Sequence, residues 1–201
     1  MSSDTASKAA KERLRGELLG MRRALTPDDV RVAAAALGEQ ALALPRLTAA
    51  GAVVAAYVSV GREPGTRVLL DALRARGVRV LLPVLLPDND LDWAAYEGPG
   101  RLSPAARGLL EPEGARLGPE AVTEADTVLL PGLAVDARGM RLGRGGGSYD
   151  RVLARLERAR AHPDLIVLLY ENEVVAQVPA EPHDHPVHAV VTPSGVRTFT
   201  A

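Results

Sequence analysis

Five short apolar runs decide most of what this chain can be. Gly51–Val58 reads Gly-Ala-Val-Val-Ala-Ala-Tyr-Val and has no polar side to turn toward water. A run of that kind predicts a strand covered on both faces. Val78–Leu82, Asp126–Leu130, Asp164–Tyr170 and His188–Thr192 repeat the theme, the last of them closing the series. Between the first two lies Thr66–Arg76, amphipathic at helical spacing and followed by Gly77, a natural C-cap. Tyr149–Arg160 is a second such helix. Strands alternating with helices predict an α/β fold: a three-layer, largely parallel sheet with helices on both faces. Leu91–Tyr96 alternates weakly and suits an edge strand. Residues 97–120, rich in Gly and Pro, read as a surface excursion, residues 134–148 as a glycine-rich loop, and Val174–Val178 as the start of a short element.

Ahead of the first strand, residues 8–43 read as helical, with Leu14, Leu18, Met21 and Leu25 on one face. Thr26 is placed to cap a second helix that has Pro27 at its first position, and Pro45 ends it. Residues 1–7 are expected to be a disordered tail, and 1–201 a single domain.

Composition removes several function classes. The chain has no cysteine, hence no thiol nucleophile, thiolate zinc site or disulfide framework. Its 24 basic and 25 acidic side chains leave a net charge of -1, which is no footprint for nucleic-acid binding. No apolar run approaches the roughly 20 residues of a membrane span, and the N-terminus lacks the apolar segment of a signal peptide. The expectation is a cytoplasmic monomer that acts on small molecules, with neither nucleic acid nor membrane as partner.

The chemistry concentrates in Arg141-Leu142-Gly143-Arg144-Gly145-Gly146-Gly147-Ser148-Tyr149-Asp150, between a buried strand and a helix. Glycines let backbone N–H groups converge, the helix N-terminus adds partial positive charge, and two arginines bring planar donors for phosphate oxygens. Asp150, at the junction, could hold a magnesium ion that bridges phosphates. The block is neither a P-loop nor a dinucleotide fingerprint. A plain flexible linker is the alternative.

This block resembles the signature of the 5-formyltetrahydrofolate cyclo-ligase family, and the likeness extends in order along residues 8–195. Lys11-Glu12-Arg13-Leu14-Arg15, Ser59 through Glu63 to Thr66, Glu111-Pro112, Pro131 through Asp150, and His183-Asp184 match the family's successive patterns. The resemblance implies a fold like the NagB/RpiA/CoA-transferase architecture. It also implies an ATP-dependent ligase that converts 5-formyltetrahydrofolate to 5,10-methenyltetrahydrofolate with Mg2+ as cofactor. By resemblance Arg144 and Arg141 are catalytic, and Lys11, Arg15 and the run from Arg141 to Tyr149 bind ATP. Val58, Glu63, Arg144, Gly145, Gly146, Gly147 and Ser148 bind the folate, and Asp150 and Asp184 hold the metal. Ser148 departs from the aromatic residue that many members carry there, and Gly146 from a lysine.

Each assignment has a plainer counterpart. Lys11 and Arg15 share a helix face that could simply be solvated, and Glu63 could be a surface acid. Asp150 could serve only the helix dipole, and Asp184 a polar loop. His183, His185 and His188 invite a zinc reading, but no known zinc motif surrounds them. Tyr149 could stack on a ligand or pack under its helix, and Trp93 and Tyr96 could line a folate site or cover the sheet edge. Two other functions stay open: a catalytically silent folate- or nucleotide-binding protein, and an enzyme acting on a sugar phosphate or CoA ester. The latter rests on fold analogy alone.

Overall fold

The computed structural model describes residues 3–181 and 184–199. In chain order the elements are α1 (Ser3–Ala24), α2 (Pro27–Leu42), the single turn α3 (Pro45–Thr48), β1 (Val53–Ala55), α4 (Arg67–Ala75), β2 (Arg79–Leu85) and β3 (Leu91–Ala95). Then come β4 (Leu102–Pro104), β5 (Leu110–Pro112), β6 (Thr127–Leu130), β7 (Ala134–Val135) and β8 (Arg141–Leu142). The chain ends with α5 (Ser148–Ala159), β9 (Asp164–Leu168), β10 (Ala189–Thr192) and β11 (Gly195–Thr198). Among the described residues no helix is long and apolar enough to cross a membrane.

The central sheet has the order β11-β10-β9-β6-β1-β2-β3. Its five inner strands are parallel, and β3 and β11 close the two sides antiparallel. The α/β expectation therefore holds, and so does β3 as an edge strand. The period-2 alternation of strands sorts the core into two layers. Val54, Val80, Leu82, Ile166 and Val191 pack under α2 and α4. Ala55, Leu81, Val128, Val167 and Val190 face α5, through Val152 and Leu156.

Several boundaries differ from the sequence reading, each for a physical reason. Helix α1 begins at Ser3, not Lys8: the good helix formers Ala6, Ala9 and Ala10 extend it through the expected tail. Met21 is 52% exposed while Leu18 is buried, so the apolar face of α1 is narrower than its spacing implied. Thr26 caps α2 as expected, in a capping box with Asp29, and Pro27 is the first helical residue. Pro45 ends α2 but also starts α3.

The excursion over 97–120 contains the hairpin β4–β5, and the loop over 134–148 contains the hairpin β7–β8. Two- and three-residue strands are too short to show a period. The strand after His188 is not the last, since β11 folds back on β10. Val174 of the expected short element makes only a single bridge to Val135.

Helix α1 is held against the rest of the protein by a buried ion pair. Arg22 (4% exposed) places Nε 2.7 Å from Glu173 Oε1 and a terminal nitrogen 2.9 Å from Oε2. That nitrogen also donates to the Gly132 carbonyl at 2.7 Å. The guanidinium stands 5.7 Å from the Tyr170 ring centroid. Glu173 accepts the Tyr170 N–H at 3.0 Å as well. Removing one partner of such a pair strands the other charge in the interior. Glu173→Ala should therefore lower the unfolding free energy by about 3–5 kcal/mol in urea titrations; a loss below about 1 kcal/mol would show that the pair is not what fastens α1.

Candidate active site

Strand β1 lies inside the sheet, and the chain goes to one side of it for β2 and to the other for β6. Where strand order reverses in this way, the carboxyl ends of the strands diverge and leave a crevice. A cavity of about 890 Å³ lies there. Tyr57, Val58 and Glu63 reach it from the exit of β1, Pro131 from the exit of β6, and the whole block Arg141–Asp150 lines it. Lys8, Lys11 and Arg15 of α1 and Glu181 and Asp184 complete the same wall. The expected ATP, folate and metal residues, from Lys11 to Asp184, thus line one cavity.

The turn after β1 is fastened at both ends. Ser59 and Thr66 exchange backbone-to-hydroxyl hydrogen bonds at 2.9 and 3.1 Å, and the Thr66 hydroxyl donates to the Tyr57 carbonyl at 2.7 Å. Within this frame Glu63 accepts the Val60 N–H at 2.8 Å through Oε2. Its Oε1 is left to pair with Arg144 at 3.1 Å. Glu63 and Arg144 are therefore one unit, which the sequence treated as two separate contacts.

The glycine block owes its shape to left-handed backbone. Gly147, the N-cap of α5, has φ 77°, and no side chain caps the helix. The first turn of α5 thus presents N–H groups that have no intrahelical partner. Gly145 (φ 86°) lies against Arg15: a Cβ there would stand 3.3 Å from the guanidinium carbon. Arg15 in turn donates to the Gly143 carbonyl at 2.9 Å, fastening α1 to the block.

The Arg141 side chain is buried, donates to the Pro131 carbonyl at 2.9 Å and lies 3.8 Å from Asp150. Its Nε and the Tyr149 hydroxyl are buried without a hydrogen-bond partner. Burial pulls the Arg141 guanidinium below its ordinary value, although Asp150 works against that. Burial pushes the Tyr149 phenol well up.

Lys11 is 8% exposed and sits 2.7 Å from both Glu181 and Asp184. Burial works against its ammonium, but the hydrogen bonds to Asp184 and Glu181 more than compensate and raise its pKa. Among the described residues no three His, Asp or Glu side chains form a ready metal cluster. The donor set nevertheless suits magnesium, a hard ion usually held by one or two carboxylates beside phosphates. Asp150 is exposed at the mouth of the block, and Asp184 lies on the same wall behind Lys11.

Other expectations resolve differently. Trp93 is fully buried in the sheet core, and the Tyr96 hydroxyl donates to Asp71 at 2.6 Å; neither is on the cavity wall. His188 Nδ1 accepts the Leu165 N–H at 2.9 Å, which occupies it within the sheet. His185 is on the wall, 3.8 Å from Glu157, and His183 lies outside the described residues. Sequence reasoning missed Glu181, Tyr57 and Arg107 on the wall. It also missed Asp136, for which a signal existed: Asp-Ala-Arg-Gly is turn-forming.

Residues 7–193 match the 5-formyltetrahydrofolate cyclo-ligase family. The 5-formyltetrahydrofolate cyclo-ligase of Mycolicibacterium smegmatis is 43% identical over 194 residues, which cover 93% of this chain and 95% of that protein. The Escherichia coli K12 protein of the same name is 32% identical over 177 residues, 87% and 96% of the two chains. The NMR structure of Aquifex aeolicus 5,10-methenyltetrahydrofolate synthetase superposes with a TM-score of 0.79 at 28% identity, covering 95% of this chain and 93% of that one.

The hairpin that delivers Arg141 is organised by Asp136, which is 1% exposed. Its carboxylate accepts from the N–H groups of Arg138, Met140 and Val178 at 2.9–3.1 Å and from the Arg138 guanidinium at 2.7 Å. Burial opposes its ionisation, but Arg138 and these N–H groups prevail and hold it below its ordinary 3.8. A lowered carboxyl pKa stabilises the fold above the unfolded-state value, and that stability fades as pH falls through the folded-state value. Asp136→Asn should cost roughly 1–3 kcal/mol at pH 7. It should also flatten the acid side of the stability–pH curve below about pH 4, as read from urea midpoints; an unchanged acid limb would exclude this role.

Proposed function

The chain belongs to the 5-formyltetrahydrofolate cyclo-ligase family, and from that premise we propose that its cavity binds ATP with magnesium beside 5-formyltetrahydrofolate and closes the folate ring. In this reaction the formyl oxygen attacks the γ-phosphorus and ADP leaves. N10 then attacks the activated carbon and gives up its proton. The phosphate departs with the former formyl oxygen, leaving 5,10-methenyltetrahydrofolate. An amide-like oxygen is a poor leaving group until it is phosphorylated, so the need for ATP follows from the chemistry itself.

One observation carries this reading. The arginine–glycine block, the uncapped N-terminus of α5 and the cations of α1 face a single cavity that Glu63 also enters. Phosphoryl transfer asks little covalent work of a protein; it asks for alignment and charge stabilisation. Arg144 would serve the transferring phosphoryl group, a reading supported by its pairing with Glu63, which belongs to the turn that would receive the pterin edge. Lys11, Arg15 and the block would hold the other phosphates. Asp150 and Asp184 would hold magnesium, which when bound neutralises phosphate charge. Tyr57 and Val58, buried on the cavity wall, would exclude water from the reacting groups.

The direct measurement is near-ultraviolet absorbance, since the methenyl product has a chromophore that the 5-formyl substrate lacks. Purified protein with both substrates and magnesium should develop the band, and omission of ATP should abolish it. A flat trace beside an active control enzyme would refute the reading. Arg144→Ala should depress turnover by about 10- to 1000-fold; a loss under twofold would place the phosphoryl group elsewhere. Glu63→Ala should raise the KM for the folate more than that for ATP, and the reverse order would exchange the two subsites.

A further inference from the structure

Six basic side chains line the cavity, and four of them are already engaged. Lys11 holds Glu181 and Asp184, Arg15 the Gly143 carbonyl, Arg141 the Pro131 carbonyl, and Arg144 pairs with Glu63. Lys8, one turn before Lys11 on α1, and Arg107 have no hydrogen-bond or ion-pair partner among the described residues. Lys8 belongs to the cationic wall that the phosphates would use. Arg107 does not.

Arg107 stands at the tip of the β4–β5 hairpin, which is docked on β2 by the hydrogen bond from Leu85 N–H to Glu111 at 2.9 Å. Strands β2 and β3 flank β1 on one side; the glycine block and the contacts of α1 at Gly132 and Glu173 follow β6 and β9 on the other. The wall near the hairpin is mostly apolar, formed by Pro83, Leu85, Leu91, Leu109 and Leu110, with Glu111 beside them accepting the Leu85 N–H through Oε1. Arg107 is the cation that this apolar wall carries.

Its backbone is also unusual. Arg107 has φ 59° and ψ 22°, Gly108 has φ 73°, and Leu109 N–H donates to the Ala106 carbonyl at 3.2 Å. This is a tight turn with both central residues left-handed, a geometry that selects Asn-Gly. An arginine there is held in a conformation that its side chain disfavours, and such strain concentrates where a side chain has a task.

We infer that Arg107 binds the carboxylates at the glutamate end of the folate; the inference rests on the function proposed for this cavity. With the formyl group at the phosphates and the pterin edge at Glu63, the rest of the substrate must leave the cationic wall. What remains is an aryl ring followed by a glutamate. The apolar wall accepts the ring, and a guanidinium at its far limit matches a carboxylate with two parallel hydrogen bonds. Arg107 therefore makes the enzyme selective for folates that carry glutamate over the same ring system ending in the free benzoate.

The test compares 5-formyltetrahydrofolate with 5-formyltetrahydropteroate, which lacks the glutamate, in the wild type and in Arg107→Asn and Arg107→Lys. Asparagine suits the turn, so the hairpin keeps its shape while the charge is lost. Arg107→Asn should raise the KM for the glutamate-bearing substrate roughly 5- to 30-fold. It should leave kcat and the KM for ATP within about twofold, and leave the truncated substrate's KM unchanged. Arg107→Lys should recover part of the loss. An equal rise for both folates, a rise confined to ATP, or no rise would each overturn the assignment while the parent enzyme still forms the methenyl product. A parent enzyme that forms none would overturn the function proposed for the cavity, and the tail contact with it.

Discussion

Two adjacent carbonyl groups hold the site together. After β6 the chain leaves the sheet at Pro131-Gly132, and a strand exit buried under other elements leaves its C=O groups in need of partners. Arg141 takes the first carbonyl and Arg22 the second. One arginine comes from the hairpin that opens the glycine block, the other from a helix more than a hundred residues earlier in the chain. The floor of the crevice, the glycine–arginine block and the cationic helix are therefore fixed relative to one another through a single turn. Glu173 completes the arrangement by compensating the charge of Arg22, whose guanidinium would otherwise be costly to bury.

On this frame the ion pairs of the wall act as placeholders. Lys11, buried and held by two carboxylates, has lost much of its rotamer freedom before any ligand arrives, while Arg144, half exposed, is held by one. Under the function proposed above, a polyanion entering beside them would meet charges already in position. The same feature explains why Asp184 looks like the partner of a lysine in this structure and like a metal ligand in the family pattern. The two roles need not exclude each other, because a carboxylate has several lone-pair directions.

Much of this was legible in the sequence. The buried strands announced themselves because a strand covered on both faces cannot tolerate polar residues, and Thr26-Pro27 announced a helix start by its chemistry. The glycine–arginine block was legible because few structures need that many glycines beside arginines at a helix entry. What stayed hidden depends on distance in the chain. Nothing near Arg22 signals Glu173, nothing near Lys11 signals Glu181, and nothing near Arg107 signals the cavity it faces. Short hairpins such as β7–β8 were hidden for another reason: two residues carry no period, and the Asp136 side chain stabilises that turn beside a ladder of only two pairs. Met21 misled because helical spacing says which residues share a face but not how wide a face the neighbours cover.

The unpaired groups beside the block carry the last step of the argument. Arg141 Nε and the Tyr149 hydroxyl are buried without partners; Ser7, Asn89, Trp93 and Thr127 also bury an unpartnered polar atom, but among the described residues only Arg141 and Tyr149 do so on the cavity wall. Buried polar atoms left unsatisfied cost about 1–3 kcal/mol each. Both belong to residues that line the cavity, one ending β8 and the other opening α5, on either side of the glycines. Guanidinium nitrogens can only donate, and burial holds the phenol in its protonated, donating form at neutral pH. Together with the free N–H groups of the α5 first turn they make a surface rich in donors, beside which Asp150 is turned out toward solvent and Glu63 is paired with Arg144. A ligand that suits such a surface brings several oxygens and negative charge, which is the description of a phosphate chain.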